Sequence, residues 1–189
     1  MALKRKVSAP GCDDAPVVTV ERGAPKPVTF VYPYYENREF FARQVAHWNA
    51  YPEDLKRHLQ IIVVDDGSPM PIEKPATSVP LSLYRITVDV RWNWLAARNL
   101  GMFMADGWCV LTDMDHMVPA ETLDSLVHGK HDPETIYRFS RVEHDGTKLL
   151  PHPNSWFMTV QMFWRIGGYD EALSGHYGTD GEYRRRCAK

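Results

Sequence analysis

Two short apolar runs in this chain end directly in acidic pairs, and that repetition constrains the fold more than any other feature. Gln60-Ile61-Ile62-Val63-Val64 runs into Asp65-Asp66-Gly67-Ser68, and Trp108-Cys109-Val110-Leu111 runs through Thr112 into Asp113-Met114-Asp115. Runs of this length and apolar character predict buried strands of a parallel sheet. Open α/β sheets bind ligands at the carboxyl ends of their strands, so the acids are expected to border a site. In an extended segment residues i and i+2 point the same way. That geometry turns Asp113 and Asp115 toward one hard cation and His116 away from both. The Asp-x-Asp spacing alone says little, because 14 Asp in 189 residues produce about one such triplet by chance.

The rest of the chain supplies the context. Residues 1–26, rich in Pro, Gly and charge, predict a loose N-terminal arm, and residues 27–189 a single domain. Val28–Tyr32 reads as a first strand halted by Pro33, followed by a helix over Arg38–Ala50 with Phe41, Val45 and Trp48 on one face. Leu81–Val88 is a third strand, and Asn93–Met104 has the composition of a helix closed by Ala105-Asp106-Gly107. Beyond Asp115 come a short helix over Pro119–Val127, a strand over Thr135–Phe139 and a hairpin within Arg141–Leu150 turning at Asp145-Gly146. A strand at Trp156–Val160, a short helix ending at Gly167-Gly168 and a last helix entered at Gly181-Glu182 complete the chain. Strands alternating with helices predict an α/β fold of parallel βαβ units. The loops after the first, second and fourth strands then converge on one sheet edge.

Composition narrows the partners. A chain with 44% hydrophobic and 24% charged residues can bury one sizeable core. A net charge of −2 with no long basic run leaves no electrostatic footprint for nucleic acid. No apolar run approaches the roughly 20 residues of a membrane span. Lys4-Arg5-Lys6 is followed by Val7-Ser8-Ala9-Pro10-Gly11 rather than an apolar core, which argues against a signal peptide. Cys12, Cys109 and Cys187 fit neither a disulfide framework nor a zinc site, so a reducing, cytoplasmic setting is expected. No Gly-x-Gly-x-x-Gly follows the first strand, which sets aside a dinucleotide-binding oxidoreductase.

Several segments, taken in order, resemble the family 2 glycosyltransferases of GT-A fold. They are Val31-Tyr32-Pro33-Tyr34-Tyr35, Val63-Val64-Asp65-Asp66-Gly67-Ser68, Ala97-Arg98-Asn99-Leu100-Gly101, Asp113-Met114-Asp115, Gly167-Gly168-Tyr169-Asp170-Glu171 and Thr179-Asp180, spanning about Pro27 to Arg186. The resemblance implies a single Rossmann-like GT-A domain. Its central sheet is mostly parallel and flanked by helices, with a small antiparallel extension in the C-terminal half. It also implies an inverting, hexosyltransferase-like enzyme. The donor would be a nucleotide-diphosphate sugar of UDP, GDP or dTDP type, the cofactor a divalent cation, Mn2+ or Mg2+, and the acceptor a hydroxyl of a glycan or another molecule.

The same resemblance implies a role for each residue. Asp115 is the main metal ligand, and Asp113 contacts the ribose or, through water, the metal. Asp66 reads an N–H of the nucleobase, Asp65 supports its turn, and Pro33 and Tyr35 form the nucleobase wall. Glu36 and Asn93 reach polar atoms of the nucleoside, and Arg98 faces the donor's phosphate or sugar oxygens. Asp180 is the general base, in a position where the family usually has Glu-Asp and this chain has Thr179-Asp180. His176 and Tyr177 lie close enough in sequence to line an acceptor pocket. Relatives carry a later His that completes the metal site and continue well past the base, whereas this sequence ends at Lys189. A truncated or degenerate sugar-nucleotide-binding module is therefore the alternative.

Overall fold

The computed structural model describes residues 24–188. The expected arm over residues 1–26 lies almost wholly outside the described residues, as does Cys12. Eight strands and six α-helices follow in order: β1 (Val28–Tyr34), α1 (Arg38–Asn49), α2 (Glu53–Lys56), β2 (Leu59–Asp66), β3 (Leu81–Ile86), α3 (Trp94–Met104) and β4 (Trp108–Leu111), then α4 (Ala120–His128), β5 (Tyr137–Arg138), β6 (Arg141–Val142), β7 (Lys148–Leu149), β8 (Trp156–Thr159), α5 (Val160–Arg165) and α6 (Asp180–Cys187). A 3-10 turn at Glu171–Leu173 precedes α6.

The main sheet has the order β3-β2-β1-β4-β8-β5, with β3, β2, β1 and β4 parallel and β8 antiparallel to both its neighbours. β6 and β7 form a separate antiparallel hairpin. This is the expected α/β architecture, a mostly parallel sheet with a small antiparallel extension. The chain steps outward from β1 to β3 and then returns to the other side of β1 at β4. The switch in strand order therefore falls between β1 and β4, where such sheets open a ligand crevice at their carboxyl ends.

Alternation along the central strands sends side chains into two cores. Phe30, Tyr32 and Tyr34 of β1, with Ile61 and Val63 of β2, meet Phe41 and Trp48 of α1 and Leu123, Leu126 and Val127 of α4. Val31, Ile62, Val64 and Leu111 face the other way, against Leu95, Ala97 and Met102 of α3, Phe163 of α5 and Tyr183 of α6. Residues buried on both faces explain why the strands read as continuous apolar runs. Each large side chain removed wholly from water contributes about 1.5–3 kcal/mol. The contact between α3 and β1 is close enough that only glycine fits at position 101, where a Cβ would lie 2.4 Å from Val31 Cγ1. Gly101→Ala is expected to destabilise the protein by about 1–3 kcal/mol through overpacking, read as a lower urea midpoint with an unchanged m-value.

Several boundaries differ from the sequence expectation. β1 does not stop at Pro33 but continues to Tyr34, paired with β2 in the register Pro33↔Val64. Pro33 shares the orientation of Val31, whose carbonyl accepts from Thr112 N on the β4 side. Pairing with β4 ends at Val31↔Leu111, so the N–H that Pro33 lacks would have met no strand. β3 ends at Ile86 rather than Val88, and β5 keeps only Tyr137–Arg138 of the expected Thr135–Phe139. Among the described residues no helix is long and apolar enough to cross a membrane, and Cys109 and Cys187 are free thiols.

Candidate active site

The carboxyl ends of β1, β2 and β4 open onto a cleft of about 740 Å³. Its lining includes Pro33, Tyr35, Asp66, Asp113 and Asp180, so the fold brings together five of the residues singled out in the sequence. Tyr34, Asp89, Val90, Arg91, Trp92, Trp94 and Asn154 complete it.

At one end, β2 delivers Asp65 and Asp66 into the tight turn at Gly67-Ser68. Asp65 is buried and points into that turn, accepting from Ser68 N at 2.9 Å and from Arg85 Nη1 at 3.0 Å. Asp66 lines the cleft and accepts from Asn93 Nδ2 at 3.0 Å. Gly67 has φ 77°, and a Cβ there would lie 2.8 Å from Asp89 Cα, so the turn and the segment after β3 need a glycine at this contact. Tyr35 donates to Asp89 Oδ2 at 3.1 Å, which fixes its ring on the cleft wall. Asn93 bridges Asp66 to Ser174, whose Oγ donates to Asn93 Oδ1 at 2.7 Å. Glu36 is exposed, outside the lining, and attached to the same turn through its N–H to Ser68 Oγ at 3.0 Å. His176 is exposed and also lies outside the lining.

Burial pushes the Asp66 carboxyl up to about 7, with Asp65 and Asp89 adding to the shift and the Asn93 hydrogen bond opposing it. The folded protein therefore holds a proton that the unfolded chain releases near its ordinary value of 3.8. Stability contributed by this group is complete at low pH, falls as pH rises from about 4 to 7 and stays low above 7. Asp66→Asn is expected to raise the melting temperature of the ligand-free protein at pH 8, with the gain vanishing toward pH 4. Melts across that range check this; a gain independent of pH would contradict it.

At the other end the structure corrects the sequence expectation. β4 ends at Leu111, and Asp113–His116 is a turn closed by His116 N donating to Asp113 O at 3.1 Å, not an extended strand end. Residues i and i+3 are brought together instead of i and i+2. The Asp115 side chain is 55% exposed and lies beside the resulting cluster, with Oδ1 3.6 Å from His116 Nδ1. His116, expected to face away, joins Asp113 and His152 in a cluster whose ligand atoms all lie within 4.8 Å of one another. His152 Nδ1 is 3.3 Å from Asp113 Oδ2. Burial lowers the His152 pKa despite the opposing pull of Asp113, which favours the neutral ring, and its Nδ1 accepts from Asn154 N at 3.3 Å. Gln44 of α1 holds the turn from below, donating from Nε2 to Met114 O at 2.9 Å and His116 O at 2.8 Å. A polar residue fully buried on an otherwise apolar helix face was the available signal for this role.

Arg98 of α3 was expected to face the donor and is instead completely buried. Its Nη2 donates to Asp113 Oδ1, its Nη1 donates to Asn154 O at 2.6 Å, and its guanidinium lies 5.3 Å from the Trp94 ring and 5.7 Å from the Tyr169 ring. Burial disfavours the charge, yet Asp113 and Tyr169 overcome it and raise the Arg98 pKa. Asn154 in turn donates from Nδ2 to Asp180 Oδ1 at 2.5 Å. Asp180 is the first residue of α6, after Thr179 as N-cap, so its carboxylate sits at the positive end of the helix. One buried cation thus orders both the Asp113 cluster and the loop that holds Asp180.

A model of glycosyl transferase family 2 matches residues 29–183. The chain belongs to glycosyl transferase family 2. No match was found among curated proteins. Similar solved structures include residues 1–349 of TarS from S. aureus, 13% identical with a TM-score of 0.56, where the match covers 85% of this chain and 55% of that one. Another is the mannosyltransferase PcManGT from Pyrobaculum calidifontis in complex with GDP-Man and Mn2+, 20% identical with a TM-score of 0.53, covering 82% and 52% respectively. TarS 1–349 in complex with UDP matches at 14% identity with a TM-score of 0.52, covering 83% and 53%. The chain spans about half the length of these structures, and the likeness is one of fold.

Proposed function

We propose that this chain transfers a sugar from a nucleotide-diphosphate donor to a hydroxyl of a glycan or other acceptor, with inversion at the anomeric carbon and with a divalent cation. The observation that carries the reading is that one cleft holds the Pro33, Tyr35 and Asp66 wall at one end and Asp113 and Asp180 at the other. A flat base stacks between Pro33 and Tyr35, and Asp66 accepts its N–H. Asp180 takes the proton of the acceptor hydroxyl as that oxygen bonds to the anomeric carbon. The bond to the diphosphate breaks on the opposite face, and its electron pair leaves with the phosphate.

Asp113, His116 and His152 would hold the cation, with Asp115 beside His116 rather than in the cluster. When bound, the cation neutralises charge on the departing diphosphate. Two imidazoles and one carboxylate suit Mn2+ better than Mg2+. Proteins of similar fold carry GDP-Man with Mn2+, or UDP, in keeping with a donor of this class.

Melts with UDP-, GDP- and dTDP-sugars, each with Mn2+ or Mg2+, test the reading. One nucleotide class at about 100 times its Kd should raise the melting temperature by about 5–10 °C, more with Mn2+. His152→Ala should lose the cation-dependent part. Absence of any shift with every pair would overturn the reading, and binding without release of free nucleotide diphosphate would reduce the chain to a binding module.

A further inference from the structure

The cleft mouth carries an aromatic pair to which the donor reading gives no role. Trp92 lines the cleft, yet it is 42% exposed and its backbone is left-handed, with φ 54°. Bulky residues rarely adopt that conformation, and such strain collects at ligand sites. The Tyr177 ring packs against it with centroids 5.0 Å apart and planes at 59°, and Tyr177 is 83% exposed. Arg91 lies 5.8 Å from the Trp92 ring, so the open faces of the pair belong mainly to Tyr177. The loop carrying Tyr177 is fastened to the cleft wall by the Ser174 to Asn93 hydrogen bond and leads straight into Asp180. Two residues, Gly178 and Thr179, separate Tyr177 from the candidate base, so the two Cα atoms are at most about 11 Å apart.

We propose that Trp92 and Tyr177 form the acceptor subsite and that it takes a pyranose ring of a glycan. This rests on the glycosyl-transfer reading and names its second substrate. A pyranose presents C–H groups on its faces and hydroxyls around its rim. Its face stacks on an aromatic ring, and its rim meets a polar neighbour such as Arg91, which lines the same cleft. A saccharide seated on Tyr177 carries a hydroxyl to Asp180 within the available span. A lipid acceptor needs a continuous apolar trough, whereas along the cleft Val90 and Trp92 are interrupted by Asp89 and Arg91.

The test measures release of nucleotide diphosphate from the donor found in the melts. The acceptor probes are oligosaccharides of glucose, mannose, galactose and N-acetylglucosamine, with ribitol and a polyprenyl phosphate in detergent as contrasts. A pyranose oligosaccharide should raise release above the water-only rate. Tyr177→Ala and Trp92→Ala should each raise its KM about tenfold or more, Tyr177→Phe should leave the KM near wild type, and the donor's melting shift should persist in Tyr177→Ala. Ribitol or polyprenyl phosphate serving as acceptor while no pyranose does would overturn the subsite, as would a pyranose KM indifferent to both alanine variants. Without a donor shift in the wild type, the glycosyl-transfer reading fails first and the subsite with it. With that shift intact, failure of the acceptor results removes the subsite alone.

Discussion

Asp180→Asn is expected to lower turnover by about 10²–10⁴-fold, the range that a positioned general base contributes, while the donor's melting shift survives. The substitution keeps the shape of the side chain, and the new amide oxygen still accepts from Asn154 Nδ2, which now reaches Asp180 Oδ1 at 2.5 Å. What it removes is the ability to take a proton. Loss of a favourable charge at the start of α6 adds only about 0.3–1 kcal/mol of destabilisation, too little to confuse the result. A pure transition-state loss lowers kcat and kcat/KM together and leaves donor affinity alone. Initial rates of nucleotide release, set beside donor melts of the same variant, separate the two. Turnover within tenfold of wild type would assign the proton to another group.

Arg98→Met is expected to cost about 3 kcal/mol of unfolding free energy, a large fraction of the stability of a typical domain. Methionine refills the space between Trp94 and Tyr169 but leaves Asp113 and the Asn154 carbonyl without the donors that now hold them. Breaking a fully buried pair costs about 3–5 kcal/mol. The Asp113 side chain is 28% exposed and recovers some hydration, which puts the expectation at the lower end. Arg98→Lys should rescue little, because one ammonium cannot reproduce a planar fork that bonds in two directions. Urea unfolding measures the loss, and a double-mutant cycle with Asp113→Asn isolates the pair. A loss below about 1 kcal/mol would mean that the guanidinium is not the organiser of this end of the cleft.

Much of the fold was legible because its signals are local. The continuous apolar runs at Ile61–Val64 and Cys109–Leu111 mark strands buried on both faces, and the helix over residues 38–49 shows in the spacing of Phe41, Val45 and Trp48. The side of the cleft lined by Pro33, Tyr35 and Asp66 was legible for the same reason: each residue lies within a residue of a strand's carboxyl end. The cluster of Asp113, His116 and His152 was not. Asp113 and His152 are far apart in sequence and meet because β8 runs antiparallel to β4. The register Leu111↔Trp156 lays the segment entering β8 beside the segment leaving β4, and Thr112 Oγ1 and Ser155 Oγ hydrogen-bond at 3.0 Å where the two meet. Nothing in Pro151-His152-Pro153-Asn154 announces that pairing. The place of His116 beside Asp113 was hidden because a strand was continued through what is a turn, and an alternation of period 2 fails as soon as the chain bends.

The proline in β1 has a consequence beyond allowing the strand to continue. Where β4 stops and β1 runs on, the sheet has a short bare flank beside the cleft, and bare flanks recruit stray peptide strands. A visiting strand would need an N–H from position 33 to dock there, and Pro33 has none. The missing donor weakens edge-to-edge pairing at this flank, a guard against self-association beside the cleft.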